Sequence, residues 1–415
     1  MANLQRMTAW LQEHLPEFLE ELSLLVNIDC GTSNKAGVDA VGRVFRGWLH
    51  SAGFELTEFP LAEYGDCCMA TLKGSGQASI MLVGHLDTVY PDGTVAKRPM
   101  QIEGERILGP GVSDMKAGLL VGLYAVRALL QDGFRDFEQI VFFLNTDEEV
   151  GSQVSRQLYQ PVARQMDAAL VLEAARANGD IVSARKGGAI YRFTVHGRQA
   201  HAGVEIEKGA NAIVELARCI RDLTGLNGYQ PGTTVNVGVI GGGTMPNVVP
   251  DLAWAEVDTR FVTAEAGQTL DQLIRQIALR PTVPGTQIEI SGGIEKGPME
   301  KTAATAYMVE IAQDVARQIG FTFQDVQTGG TSDGNLIGEL GVPTLDGLGP
   351  VGGLDHSPGE YLELDSIVPR AALLAGLIES IAENRDQIVT FRKKLSDNSA
   401  EGVIASDEGA KQTHR

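Results

Sequence analysis

Basic residues are in short supply. The chain carries 34 lysines and arginines against 53 aspartates and glutamates, a formal net charge of −19. Nucleic-acid binding needs clustered positive charge, so this balance argues against such a partner. It also repels anionic ligands at long range, and an acidic substrate has to be held by local arginine, lysine or metal charge. Cysteine is scarce as well. Cys30, Cys67, Cys68 and Cys219 are too few and too scattered for a disulfide framework, and none forms a Cys-x-x-Cys pair. The adjacent Cys67 and Cys68 are expected to be buried packing residues. No apolar run reaches the ~20 residues of a membrane span. The N-terminal stretch MANLQRMTAWLQEHLPEFLEELSLLV is amphipathic and acidic, without the basic start or small-residue cleavage site of a secretory signal, so a cytoplasmic location is expected. What remains is ordinary for a soluble globular protein: 415 residues, 43% hydrophobic and 21% charged, enough for two domains.

Hydrophobic spacing predicts a helix from about Thr8 to Val26, with Leu11, Leu15, Phe18, Leu22 and Leu25 on one face. A second is predicted over Val38 to Ala52. Short apolar strands then alternate with helices: Ser79–Val83, a helix over Lys116–Gln131, Gln139–Asn145 and Ala168–Leu172. That alternation points to an α/β domain with a largely parallel sheet. Near Lys186 the pattern changes to period-two strands at Ala189–Val195, Thr233–Ile240, Leu252–Phe261 and Thr286–Ser291. Helices at Asn211–Leu223 and Leu270–Leu279 accompany them, which predicts a small inserted α+β domain. The expected division is 1–186 and 298–395 for the larger domain and 187–297 for the insert, with a disordered polar tail over 396–415.

Metal-type side chains recur at predicted strand ends and turns: His85, Asp87, Asp114, Glu148, Glu149, Glu173 and His356. Two residues apart on a strand, His85 and Asp87 share a face, so Asp87 can accept a hydrogen bond from the ring nitrogen that does not bind metal. Asp114, in Gly-Pro-Gly-Val-Ser-Asp, is either a helix cap or a ligand, and its two oxygens could bridge two ions. Glu148 and Glu149 follow a buried strand; neighbouring carboxylates repel unless a cation lies among them. One can bind metal while the other takes a proton from water. Nitrogen and carboxylate donors without thiolates suit zinc, with manganese or cobalt as substitutes. The set describes a site for two divalent ions beside a carboxylate base, equipment for hydrolysing an amide bond.

The joined segments GHLDTVYPDGT, GPGVSDMKAG, NTDEEVGS, LVLE, GRQAHAG and GLDHSPGEY resemble the dinuclear-zinc amidohydrolase and exopeptidase family over about Leu24 to Leu377. That family includes aminoacylase, acetylornithine deacetylase, succinyl-diaminopimelate desuccinylase and glutamate carboxypeptidase, and the segments look most like its carboxypeptidase G (glucarpidase) type. The resemblance implies an α/β catalytic domain with a mostly parallel central sheet and helices on both faces. It also implies an inserted dimerisation or lid domain of four strands and two helices. It implies two zinc ions per subunit: His85 and Glu173 on one, Glu149 and His356 on the other, Asp114 bridging, Asp87 orienting His85 and Glu148 as general base. A cis peptide is expected after the bridging residue, at Asp114–Met115. In the family a histidine of the inserted domain, here His201, stabilises the oxyanion in the partner subunit of a homodimer.

For substrate, the resemblance points to Arg260 as a carboxylate grip, Asn247 as a substrate or oxyanion contact, and Gly330, Thr331 and Ser332 as a carboxylate-binding loop. From the residues alone, His201 is equally a solvated loop histidine, and Arg260 a surface ion pair with Asp258 or Glu256. Arg185 and Lys186 could add positive field or simply lie at a hinge surface. The expected activity is release of an amino acid, plausibly glutamate, from an N-acyl amino acid or peptide. The alternatives are a deacetylase or desuccinylase and, remotely, a non-catalytic metal-binding scaffold, which would have no use for Glu148.

Overall fold

The computed structural model describes residues 2–393; the tail expected to be disordered lies outside the described residues. The chain forms two compact units. The first comprises the described residues up to Ala184, Lys301–Gln327 and those from Ser332 onward; the second comprises Arg185–Glu300 and Thr328–Thr331. Sequence reading did not anticipate that the short loop Thr328–Thr331 groups with the second unit.

The first unit is built on a six-stranded sheet in the spatial order Glu55–Phe59, Cys67–Lys73, Gln139–Asn145, Ser79–His85, Ala168–Val171, Thr344–Leu345. The last four run parallel, and the first two form an antiparallel hairpin on one edge. Successive residues of a strand face opposite sides. Accordingly Ile80, Leu82, Ile140, Phe142 and Leu170 join a large core with the helices Lys35–Ser51, Ala117–Gln131, Ala303–Ile319 and Ile367–Glu383. Met81, Val83, Val141, Phe143 and Ala169 join a smaller core on the other face with Tyr159, Ala163, Leu336 and Ile337. Both faces are therefore covered, as a parallel sheet requires. The single N-terminal helix expected is in fact two, Ala2–Glu13 and Leu15–Val26. They part at His14, where Pro16 opens the second helix, a position that tolerates its missing N–H. Among the described residues no helix is long and apolar enough to cross a membrane.

The second unit is a four-stranded antiparallel sheet in the order Thr234–Gly242, Leu252–Phe261, Gly187–His196, Gln287–Lys296, with the helices Ala212–Thr224 and Ala264–Ala278. Tyr191, Phe193, Val257, Leu216, Leu270 and Ile274 make its core. Asn211 and Thr263 cap the two helices by accepting the N–H of Val214 and Ala266. The second helix starts earlier than its apolar pattern indicates, because its first turn carries no large apolar residue.

Within this unit Glu215 is fully buried and accepts from Arg218 Nε (2.8 Å) and from the backbone N–H groups of Thr282 (2.8 Å) and Val283 (2.6 Å). Removing it takes from Arg218 one of its two carboxylate partners, Asp222 at 2.8 Å being the other, and leaves the two loop N–H groups without their acceptor. Glu215→Ala is expected to destabilise the chain by about 1–3 kcal/mol, the scale of lost hydrogen bonds to a charged group, read by thermal or urea melting of the metal-free protein. A loss under about 0.5 kcal/mol, the scale of a neutral surface change, would contradict that role.

Candidate metal centre

Three neighbouring parallel strands deliver candidate ligands at their C-terminal ends, where α/β sheets place their sites. His85 is the last residue of Ser79–His85, Glu148 and Glu149 follow Gln139–Asn145 in a short turn, and Glu173 follows Ala168–Val171. The other two come from loops joined by a small antiparallel ladder. Strand Arg106–Leu108 leads into the loop of Asp114, and strand Tyr361–Glu363 follows the loop of His356, paired Tyr361 to Leu108. Two glycines let these pieces approach. A Cβ on Gly118 would lie 1.9 Å from the carbonyl oxygen of Leu172, beside Glu173, and one on Gly352 would lie 2.2 Å from Ser113 Oγ, beside Asp114.

The side chains converge. Asp114 Oδ1 lies 3.0 Å from His85 Nε2 and Asp114 Oδ2 lies 3.1 Å from His356 Nε2. Glu173 Oε1 is 3.7 Å from His85 Nε2, and Glu149 Oε2 is 3.2 Å from His356 Nε2. Glu148 offers a carboxylate oxygen that falls, with atoms of His85 and Glu173, within a mutual 4.8 Å; His85, Asp114 and Glu149 form a second such group. Asp114 makes no capping bond to the following helix, and the Asp114–Met115 peptide is cis as expected. His356 adopts φ +62°, a left-handed backbone that costs a non-glycine residue about 1–2 kcal/mol.

Asp87 meets the His85 ring with its main chain as well as its side chain. The chain leaves the strand after His85, and the closest partner of His85 Nδ1 is the main-chain carbonyl of Asp87 at 2.9 Å; its carboxylate lies at 3.5 Å. That carboxylate accepts from Thr32 Oγ1 (2.7 Å) and from the N–H groups of Glu148 and Glu149 (both 3.3 Å). Asp87 thus holds the ring with its backbone and the Glu148–Glu149 turn with its side chain. Because a carbonyl only accepts, Nδ1 carries hydrogen, and the neutral ring turns the lone pair of Nε2 toward Asp114.

This donor set fits divalent metal. A neutral Nε2 facing a carboxylate oxygen at 3.0 Å is two lone pairs opposed, an arrangement that calls for a cation or a proton between them. Glu149 Oε1 is buried with no hydrogen-bond partner. In the metal-free chain protons fill the role. Burial works against a charged His85, yet hydrogen bonds to Asp114 and Asp87 and the nearby Glu173 raise it well above its ordinary range. His356 is pushed up to about 9, chiefly by Asp114. Burial would raise Asp114, but hydrogen bonds from His356 and His85 hold it below the carboxylate range. Burial, reinforced by Asp114 and Glu148 against the opposing pull of His85, lifts Glu149 to about 8. Burial and Asp114 raise Glu173 as well.

Sequence reading missed supporting residues. Asp333, buried, accepts from Asn145 Nδ2 (2.7 Å), Ser152 Oγ (2.5 Å) and Tyr159 Oη (3.0 Å), while Asn145 Oδ1 accepts the N–H of Thr146. The network fixes the turn that bears Glu148 and Glu149. Its only sequence signal was the single acid that closes the Gly-Gly-Thr-Ser-Asp stretch. Ser332 needs correction: it is buried, donates to Asp346 Oδ2 (2.6 Å) and accepts from Gly334 N–H (2.9 Å), so it caps a helix and offers no open hydroxyl to a carboxylate.

The second unit carries the other expected contacts. Gly330 is exposed, its carbonyl accepts from Arg185 Nη1 (3.1 Å), and Thr331 is half-buried beside it. Lys186 donates to Gly232 O (2.7 Å). Arg260 is paired through Nη2 and Nε with Asp258 (2.8 and 3.2 Å). His201 and Asn247 lie on paired segments, with Ala202 N–H donating to Asn247 O, and both side chains are exposed.

Both His356 and Glu149 must lose protons to serve as ligands, and both titrate above neutrality in the metal-free chain. Binding at pH 7 is expected to release about one proton or more per chain, and affinity should fall as pH drops from about 9 toward 6. Calorimetry in buffers of different ionisation enthalpy measures this; an affinity flat over that range contradicts it.

Residues 81–380 match the model of Peptidase family M20/M25/M40. The chain is 28% identical over 375 residues to carboxypeptidase G2 of Pseudomonas sp. (strain RS-16), covering 89% of this chain and 90% of that protein. It is 27% identical over 335 residues to the succinyl-diaminopimelate desuccinylase of Dechloromonas aromatica (strain RCB), covering 74% and 85%. The crystal structure of aminopeptidase PepT from Bacillus cereus ATCC 10987 is similar in fold, with a TM-score of 0.78 and 25% identity, over 89% of this chain and 99% of that one. With His85 and carboxylates gathered at its strand ends, the chain belongs to peptidase family M20/M25/M40, the metal-dependent peptidases and amidohydrolases.

Proposed function

We propose that this chain is a dinuclear zinc exopeptidase or amidase that releases an amino acid with a free α-carboxylate, glutamate foremost, from an N-acyl amino acid or peptide. The observation that carries the reading is the double hold on Asp114, one oxygen against each of two histidines. His85 and Glu173 would hold one ion, Glu149 and His356 the other, and Asp114 both; manganese or cobalt could substitute. Bound divalent metal supplies Lewis acidity toward the amide carbonyl and acidifies water. Glu148 takes a proton at its carboxylate and returns it to the departing amine. Asp87 keeps Glu148 in place through the N–H bonds described above.

His201 is proposed as the oxyanion donor. Gly203 N–H donates to His201 Nδ1 at 3.1 Å, so the neutral ring carries its hydrogen on Nε2 and presents it as a donor. Asn247, on the segment paired with that of His201, is proposed to share in holding substrate. Arg260, with the backbone of Gly330 and the hydroxyl of Thr331, is proposed to grip the substrate carboxylate, exchanging Asp258 for it. A homodimer with His201 acting in the partner's site is part of the proposal. It is supported by an exposed apolar edge on the second unit: Val239 and Ile240 on the edge strand and Ile213 and Val214 on the helix. An open, apolar strand edge is a surface that associates.

A second reading, an N-acyl amino acid deacylase, is favoured by the desuccinylase relative. Product analysis on folyl-glutamate, N-acetyl and N-succinyl substrates separates the two. Release of glutamate supports the first, and turnover confined to N-succinyl or N-acetyl substrates overturns it.

Glu148→Ala is expected to keep its metal and lose about 10²-fold or more in rate; turnover like the wild type would refute the base assignment. His201→Ala and Arg260→Ala are each expected to be inactive as homodimers. Mixing them should restore part of the activity if the two residues serve different subunits' sites. No recovery after confirmed subunit exchange would contradict that division.

A further inference from the structure

Asp114 and His356 arrive on separate loops at the same end of the small ladder. One loop leaves after Leu108, and the other ends before Tyr361, the partner of Leu108. The ladder sets where the loops begin and leaves their course open. Glu360 closes that gap. It is 1% exposed, Oε2 accepts the N–H of Gly111 at 2.9 Å, and Oε1 accepts those of Ser113 at 2.8 Å and Asp114 at 3.0 Å. These are donors of irregular backbone that otherwise lack a secondary-structure partner and are expensive to leave unmade. Glu360 stands four residues from His356, and between them the carbonyl of Ser357 accepts the hydroxyl of Tyr90 at 2.9 Å.

We propose that Glu360 is a positioning residue that ties the loop of Asp114 to the loop of His356, fixing the shared carboxylate against the second histidine so that both ions can be held at once. The proposal rests on reading this site as a dinuclear metal centre. Glu360 touches neither ion nor substrate. It acts by holding the backbone N–H of Asp114 itself, and partners in this outer layer commonly govern affinity by 10–100-fold.

The test is metal binding by the whole chain. Metal-stripped protein is titrated with Zn2+ against a chromophoric chelator and with Co2+ by visible absorption, and the metal-free chain is melted in parallel. Glu360→Ala is expected to lose about 10–100-fold in affinity and to change the Co2+ spectrum. Glu360→Gln keeps a carbonyl for Ser113 and Asp114 but turns an amide toward the N–H of Gly111. It is expected to fold, to lose about threefold or more in affinity, and to recover most of the Co2+ spectrum. If Glu360→Ala does not fold, the glutamine variant decides. Lowered melting temperatures with Zn2+ affinity and Co2+ spectra unchanged in both variants would overturn the proposal, leaving Glu360 as a fold residue only. A wild-type chain that binds neither ion would instead overturn the reading of the site.

Discussion

A single carboxylate pinned between two imidazoles sets the constraint on the rest of the centre. Asp114 offers one oxygen to His85 and the other to His356, at nearly equal distances. Bare, that contact is unfavourable on the His85 side unless charge lies within it, because the neutral His85 ring turns a lone pair toward a lone pair. In the metal-free chain protons answer it, which is why the histidines titrate high; the glutamates beside them titrate high chiefly because they are buried. A pair of divalent cations answers the same demand without protonating the ligands, and leaves Glu148 able to handle a proton of its own.

The scaffold serves that constraint in layers. The parallel strands bring His85, Glu149 and Glu173 to the C-terminal end of the sheet, and burial on both faces fixes the strands' register. Around them sits a shell of acceptors that gathers loop N–H groups. Asp87 holds the Glu148–Glu149 turn, Asp333 holds Asn145 and Ser152 beneath it, and Glu360 holds the Asp114 loop. Acidic residues are thus spent on order as well as on ligation, which accounts for part of the chain's excess negative charge.

Much of this was legible in the sequence, for reasons that differ by residue. The strand Gln139–Asn145 was readable to the residue because a buried apolar run, Ile140 to Leu144, stands between polar Gln139 and Asn145. The candidate ligands were readable because histidine and carboxylates at strand ends have a chemistry of their own. The break at His14 was less visible, since the apolar stripe runs straight through it and only Pro16 marks it. Asp87 was expected to reach His85 with its carboxylate, which lies at 3.5 Å, and its carbonyl comes closer, at 2.9 Å. Period-two spacing fixes a face but not the turn that follows the strand. Ser332 looked like a ligand-binding hydroxyl in a glycine-rich loop, but its commitment to Asp346 depends on a residue 14 positions away that no local pattern reveals. Glu360 shares that difficulty, being joined to Gly111 across 249 residues.

The most direct measurement is anomalous diffraction at the zinc absorption edge from crystals of the zinc-loaded protein. Two separate peaks flanking the Asp114 carboxylate, one against His85 and Glu173 and the other against His356 and Glu149, are the predicted result. A single peak, or metal bound away from Asp114, would contradict the shared-carboxylate centre from which the proposed hydrolysis follows.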